Sequence, residues 1–335
     1  MSDREELEEY YDKIGGNLFL SNREGYWSNL DKNENAELIS TLKHLTVKEA
    51  IKRHHGWLFD VIFSPKRAVG LELLELSGNE ACVDYGCMWG ALTIPLAKRC
   101  KYVLGVDQTL DSLKFLSAYA KEEKLENIDL LCENLKEIAV FKNKFDVAIV
   151  NGVLEWIPER GEIELKKYWS KTKQKKYIEN PLTLQKKFLN TVYQSLSEKG
   201  KLYLAIENRY DYKMFLGGND PHAGIPFVSI LPRKLSNFIS EKKLNRPYVN
   251  WLYSFYQLKK ILSDVGFSKI DLYSCFPDYR FPDQILSFEF GLKSFTSTKQ
   301  SKTVRGKIAR VIETILFGHL RLKFFASSII AVAQK

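Results

Sequence analysis

The spacing of apolar residues changes near residue 81. Before it, Thr46–Trp57 and Pro65–Leu76 carry apolar residues at helical intervals, with Pro65 placed where a first helical turn tolerates it. After it, short apolar runs take over. Ala81–Tyr85, Tyr102–Val106, Ile128–Cys132, Phe145–Val150 and Lys201–Ile206 read as buried strands, separated by amphipathic stretches such as Leu110–Glu123 and Leu182–Ser197. Strands alternating with helices predict βαβ units and a parallel sheet covered on both faces. The regularity breaks over 208–252, a stretch rich in Gly, Pro, Asn and aromatics and too long for a plain connection. A helix over Ser254–Val265 and a strand over Ser268–Ser274 resume it. A second insertion then leads to a last strand at Ser327–Ala333. The pattern predicts a seven-stranded α/β fold: a helical cap over 1–78, then one domain over 79–335 with insertions at 208–252 and 276–323.

Composition narrows the class. The 335 residues are 45% hydrophobic and 27% charged, enough to bury a core without metal or disulfide support. No apolar run reaches the roughly 18 residues of a membrane span, and the opening residues are too acidic for a secretion signal, so a cytoplasmic protein is expected. The cysteines at 82, 87, 100, 132 and 275 form no CxxC pair, which predicts buried free thiols and no metal site. A net charge of +9 permits an anionic partner and selects none.

The chemistry concentrates at strand ends. Val83-Asp84-Tyr85-Gly86-Cys87-Met88-Trp89-Gly90 joins the first predicted strand to a helix, and glycines there let backbone approach a ligand closely. Asp84 is placed to receive an ammonium group. Asp107, about twenty residues on at the end of the next strand and followed by Gln108, is placed to accept a pair of ribose hydroxyls. Glu133 and Asn134 follow the third strand, where an adenine edge would lie, and Asn151 follows the fourth. A helix cap is the alternative role for Asp107. The spacing Gly86-x-x-x-Gly90 lacks the pyrophosphate fingerprint of dinucleotide enzymes.

Over residues 60–275 these motifs resemble the class I S-adenosylmethionine-dependent methyltransferases, whose D/E-x-G-x-G-x-G turn holds the methionine part of the cofactor. The resemblance implies S-adenosylmethionine as cofactor, with Asp84, Gly86, Cys87, Gly90, Asp107, Gln108, Glu133, Asn134 and Asn151 as its binding residues. One departure stands out: the middle glycine is Met88, which either narrows the turn or closes it. After the fourth strand, Asn151-Gly152-Val153-Leu154-Glu155-Trp156-Ile157 lacks the Asn/Asp-Pro-Pro-aromatic tetrad of amino-group methyltransferases. No cysteine follows a proline, as the cytosine C5 enzymes would require. Glu155 and Trp156 read equally well as a helix start.

The acceptor side is expected in the first insertion. Glu207 closes the fifth strand, and Asp220-Pro221-His222 lies in a glycine-rich loop beyond it. His222 has the intrinsic pKa of a general base, Asp220 could orient it, and Glu207 is the next carboxylate; turn chemistry is the competing account of Asp220 and His222. The 207–224 block and Phe276–Pro282, with Asp278 and Tyr279, are similar to methyltransferases encoded among glycosyltransferases in bacteria and archaea. That likeness implies O-methylation of a sugar hydroxyl in a glycan or glycolipid precursor. Two basic features remain. Six lysines crowd Glu164–Lys176, and Thr303–Phe317 puts Val304, Ile308, Val311, Ile312, Ile315 and Leu316 on one helical face, suited either to its own domain or to peripheral contact with an anionic membrane. The rival functions are an RNA methyltransferase, motivated by the charge, and a binding protein that kept the fold but lost the cofactor through Met88.

Overall fold

Successive side chains of a strand point to opposite faces, so a run that is apolar throughout must be covered on both sides. The computed structural model describes residues 3–21, 25–26, 28–159, 180–289 and 304–335. It gathers ten strands into one sheet: β1 (Asp12–Gly15), β2 (Leu18–Leu20), β3 (Ala81–Tyr85), β4 (Tyr102–Asp107), β5 (Ile128–Cys132), β6 (Phe145–Asn151), β7 (Leu196–Glu207), β8 (Ser268–Phe276), β9 (Gln284–Ser287) and β10 (Ser328–Gln334). The order is β1-β2-β5-β4-β3-β6-β7-β10-β8-β9. Neighbours from β2 through β7 run parallel. β10 lies antiparallel between β7 and β8, and β1 and β9 add antiparallel edges.

This is an α/β fold with a mixed sheet. The seven strands expected from sequence are β3 to β8 and β10. The strand count rises to ten because the hairpin β1–β2 extends the sheet beyond β5 and β9 pairs along β8. These added strands have only three or four residues, too few for an alternating pattern to show. The hairpin also corrects the purely helical cap: residues 1–78 contribute sheet as well as helices. Phe19 in β2 is fully buried, and Gly15 and Gly16 turn the hairpin with φ of 148° and 53°. Pro65–Leu74 is a 3-10 run rather than an α-helix.

Helices cover both faces. Val83, Leu104, Val150 and Leu204 pack toward Pro181–Ser195 and Phe255–Val265, through Phe188, Leu189, Leu258 and Leu262. Cys82, Val103, Ile149 and Tyr203 pack toward Val47–His54, the 3-10 run and Leu110–Glu122. Three of these helix starts have a local device. Thr46 and Ser254 form capping boxes with Glu49 and Gln257, and Pro181 occupies a first-turn position after the Asn180 cap. All five cysteines are buried and free. Among the described residues no helix is long and apolar enough to cross a membrane.

The first insertion carries the helices Tyr212–Phe215 and Arg233–Leu244. Its stalk is tied down at the end of β7. Asn208 Nδ2 donates to the carbonyls of Phe324 and Ala326, both at 2.7 Å, and Arg209 donates to the carbonyls of Ser229 and Leu231 at 2.8 and 2.7 Å. The amphipathic segment predicted at 303–317 forms the helix Val304–Glu313 and a following turn, Thr314–His319; Thr303 lies outside the described residues. Its apolar face is divided. Ile312, Leu316 and Phe317 turn to the core, while Ile308, Val311 and Ile315 stay exposed. The lysine-rich stretch 164–176 also lies outside the described residues.

Asn208 is 1% exposed, and replacing it takes the donor from one buried and one half-buried carbonyl. Asn208→Ala should therefore destabilise the fold by about 2–3 kcal/mol in chemical denaturation. A loss below about 0.5 kcal/mol would show that water replaces the side chain.

Candidate active site

The strand order reverses at β3, whose neighbours are β4 on one side and β6 on the other, and such a reversal opens a crevice at the carboxyl ends of the strands. The turn after β3 enters it. Gly86, Met88 and Gly90 all have positive φ, at 80°, 42° and 85°. Met88 thus adopts the left-handed conformation of the glycine it replaces, at a cost of about 1–2 kcal/mol, with its side chain half-buried against the core. It leaves the turn in a glycine-like shape.

The turn is closed by β4. Gly86 N and Cys87 N donate to the Val106 carbonyl at 2.7 and 3.1 Å, and Met88 N donates to Asp107 Oδ2 at 2.9 Å. The other oxygen of Asp107 accepts from Thr109 N at 2.9 Å, so the cap-like role and the crevice position coexist in one carboxylate. The Thr109 hydroxyl and the Gln108 amide also donate to it. Cys87, expected among the cofactor residues, has its amide committed to β4 and its thiol packed toward Gly105, so it anchors the turn. Asp84, 3% exposed, accepts from Thr93 Oγ1 at 2.7 Å.

The remaining cofactor candidates line the same edge. Gln108 follows β4, where its carbonyl accepts from Gly25 N at 3.0 Å. Glu133 is fully buried after β5 and accepts from Asn134 N at 2.8 Å, while Asn134 Oδ1 accepts from Lys136 N at 3.1 Å. Asn151 ends β6. These positions fit a nucleoside joined to an amino acid: two desolvated carboxylates at the ends of β3 and β4, and a turn whose glycines admit no side chain. A Cβ on Gly86 would come within 2.4 Å of Val153, and one on Gly90 within 2.2 Å of Leu116.

The Gly86–Val153 contact seats the segment after β6 directly on the glycine turn, and that segment carries Glu155. Glu155 is fully buried, and neither carboxylate oxygen has a hydrogen-bond partner. His222 Nε2 lies 3.9 Å from one of its oxygens and 3.8 Å from Glu207 Oε2, and the imidazole side chain is 2% exposed. Trp156 meets His222 edge-on at 4.8 Å. Tyr279, lodged against Gly152, donates to Glu207 Oε1 at 3.3 Å. Asp220 stands behind the imidazole. Its Oδ1 accepts from the amides of His222 and Ala223 and lies 3.7 Å from His222 Nδ1, while its Oδ2 accepts from Tyr248 at 2.9 Å. It holds the loop and backs the imidazole, and its oxygens are not turned to the crevice.

Electrostatics follow from burial. Burial and the neighbouring Glu207 push Glu155 well above the carboxylate range. Burial works against a charged His222, but Asp220 and Glu207 outweigh it and raise its pKa. Burial opposes ionisation of Asp220 too, yet His222 and the loop amides hold its pKa down.

The structure therefore brings Glu207 and His222 together and adds Glu155, which the sequence left open between a helix start and a catalytic role. A charged residue amid Val153, Leu154, Trp156 and Ile157 was the available signal. Tyr248 gave none. Asp278, by contrast, bonds Arg280 at the surface.

Residues 82–171 match a family model described as a methyltransferase domain. The matched stretch is about a quarter of the chain, and the likeness is to a methyltransferase domain, for which S-adenosylmethionine is the cofactor. Among relatives, a 23S rRNA (uracil(1939)-C(5))-methyltransferase of Legionella pneumophila is 24% identical over 117 residues, 34% of this chain and 26% of that protein. A probable cobalt-precorrin-6B C(15)-methyltransferase (decarboxylating) of Methanococcus maripaludis is 29% identical over 86 residues, 26% of this chain and 47% of that protein. The chain thus spans less than half the length of either relative. Phosphoethanolamine N-methyltransferase 2 of Haemonchus contortus, solved with S-adenosyl-L-methionine, superposes with a TM-score of 0.46 at 14% identity, covering 89% of this chain and 60% of that one.

Two outcomes test the cofactor turn. Met88→Gly should be more stable than Met88→Ala by about 1 kcal/mol in chemical denaturation, because both lose the same packing and only alanine keeps the strain. Equal stability would mean that the turn is unstrained. The second concerns pH. Burial raises Asp84 and Asp107 from 3.8 to about 6, so between those values the folded protein binds protons that the unfolded chain releases. Their contribution to stability is greatest below about pH 4 and is lost as the pH rises through about 6, on the order of 3 kcal/mol for each. Thermal melts of ligand-free protein should show Asp84→Asn flattening the decline between pH 4 and 7, and a wild-type slope in that variant would contradict the assignment.

Proposed function

We propose that this protein transfers a methyl group from S-adenosylmethionine to a hydroxyl of a sugar-containing acceptor, a glycan or glycolipid precursor. The observation that supports this most is the buried group of Glu155, Glu207 and His222, which abuts the glycine turn and holds lone pairs that nothing in the protein uses. When bound, the cofactor supplies an electrophilic methyl group. Asp84 and Asp107 hold its ammonium and ribose ends, and the Gly86–Val153 contact sets the distance from them to the acceptor side. Transfer needs the acceptor oxygen about 3 Å from the methyl carbon and in line with the bond that breaks. A hydroxyl must also lose its proton, and the cluster offers acceptor atoms where that proton would leave. Trp156 and Tyr279 give the site flat apolar walls, as sugar rings require.

The RNA reading keeps the +9 charge in its favour. Methylation at a pyrimidine carbon, as the Legionella relative's name specifies, would require a reactive thiol. Here Cys87 and Cys275 are buried, with pKa values raised by that burial.

Calorimetry should show S-adenosylmethionine binding to the wild type and at least tenfold weaker binding to Asp107→Ala, which loses charge-assisted hydrogen bonds. His222→Ala should lower kcat by about 10²–10⁴-fold with cofactor affinity nearly unchanged. Radiolabelled methyl should enter a glycan fraction of cell extract. Incorporation confined to RNA would overturn the sugar reading, and a wild type that binds no cofactor would overturn the enzyme.

A further inference from the structure

We propose that Glu155, Glu207 and His222 form a binding site for a divalent metal ion, with one oxygen from each carboxylate and Nε2 of the imidazole as ligands. The proposal rests on the reading of this crevice as the methyl-acceptor site and names what occupies it. It departs from the sequence expectation of no metal, which looked only for cysteine spacing.

Three observations carry it. The first is convergence: the ligand atoms of all three side chains lie within 4.8 Å of one another. Atoms bound about 2.0–2.2 Å from one ion lie roughly 3–4.4 Å apart, and the imidazole-to-carboxylate separations of 3.9 and 3.8 Å fall inside that range. The second is want of a partner. Both oxygens of Glu155 and Oε2 of Glu207 are buried with no outside donor on them, and among the described residues no lysine or arginine pairs with either carboxylate; the two carboxyl groups can bond each other only while one of them holds a proton. A proton on Nε2 would not satisfy them, because a hydrogen bond does not reach 3.8 Å. The third is the outer layer. Asp220 lies 3.7 Å from His222 Nδ1, beyond a direct hydrogen bond, but its negative charge on the side of the ring away from the carboxylates favours a proton on Nδ1 and leaves the Nε2 lone pair facing the cluster. Tyr279 donates to the other oxygen of Glu207. Metal ligands are held in this way, by a carboxylate behind a histidine and a donor on the spare carboxylate oxygen.

Two carboxylates and one imidazole suit a first-row ion such as Mn²⁺ or Zn²⁺. Three protein ligands leave positions open for an acceptor oxygen, and an ion there lowers the pKa of a bound hydroxyl. In this arrangement Nε2 serves as a ligand, and the proton of the metal-bound hydroxyl passes to water.

The test uses the full chain after treatment with EDTA and desalting, titrated with MnCl2 while the electron paramagnetic resonance signal of free Mn²⁺ is followed. One equivalent should bind, ZnCl2 should displace it, and Glu155→Gln should weaken binding at least 100-fold. Asp220→Asn, a positioning variant, should weaken it about 10–100-fold. S-adenosylmethionine affinity, measured in the same metal-free buffer, should stay within threefold of wild type in Glu155→Gln, which shows that the fold persists. Failure of both ions to bind the wild type saturably, or equal binding by Glu155→Gln, overturns the metal site. Metal binding without any cofactor binding would support the site and overturn the methyltransferase reading instead.

Discussion

The end of β4 is the constraint on which the site depends. The Val106 carbonyl and the Asp107 carboxylate together take the amides of Gly86, Cys87 and Met88. This closes the turn after β3 against its neighbour and fixes where the turn's convex side points. Val153 can then rest on Gly86, and the segment after β6 can deliver Glu155 to the crevice. A carboxylate that receives two backbone amides is held in one orientation, and hydrogen bonds to a charged group are about twice as strong as neutral ones. The geometry of the acceptor side is inherited from that pair of groups on β4.

A second layer of polar burial keeps the acceptor side in place. Asn208 and Arg209 stitch the first insertion to backbone carbonyls, Asp220 gathers two amides and Tyr248, and Gln185 bridges the Leu154 and Trp251 carbonyls. These groups are satisfied, so they fix structure without offering chemistry. Glu155 is the contrast, a carboxylate of equal burial with no partner. The difference between satisfied and unsatisfied buried groups, rather than burial itself, sets Glu155 apart from its neighbours.

Much of the fold was legible because the central strands are apolar on both faces and stand out as unbroken runs. The seven runs became β3 to β8 and β10 for that reason. β1, β2 and β9 were not legible, since three or four residues cannot display a period. The glycine turn could be located from Asp84, Gly86 and Gly90, but only coordinates reveal that Met88 takes the glycine conformation and that Cys87 faces away. On the acceptor side, His222 and Glu207 were visible as polar groups near a strand end. Their proximity to Glu155 was not, because it depends on a loop folding back by some seventy residues. Asp220 shows the ambiguity of the signal: the same residue is both the turn former and the group behind the imidazole.

The place of β10 between β7 and β8 has a kinetic consequence. Asn208 finds its carbonyl partner at Ala326, 118 residues away in sequence, and β7 gains its second neighbour only when β10 arrives. Loop-closure entropy must be overcome before such distant pairings form, so contacts of this span slow folding. The pairings of β4 with β3 and β5 span about 20–25 residues and can form early, whereas that of β3 with β6 spans 65. The edge of β7 and the loop it anchors stay open to solvent and to other strands in the meantime. That late-paired edge is the part of the sheet most exposed to wrong strand pairing while the chain folds.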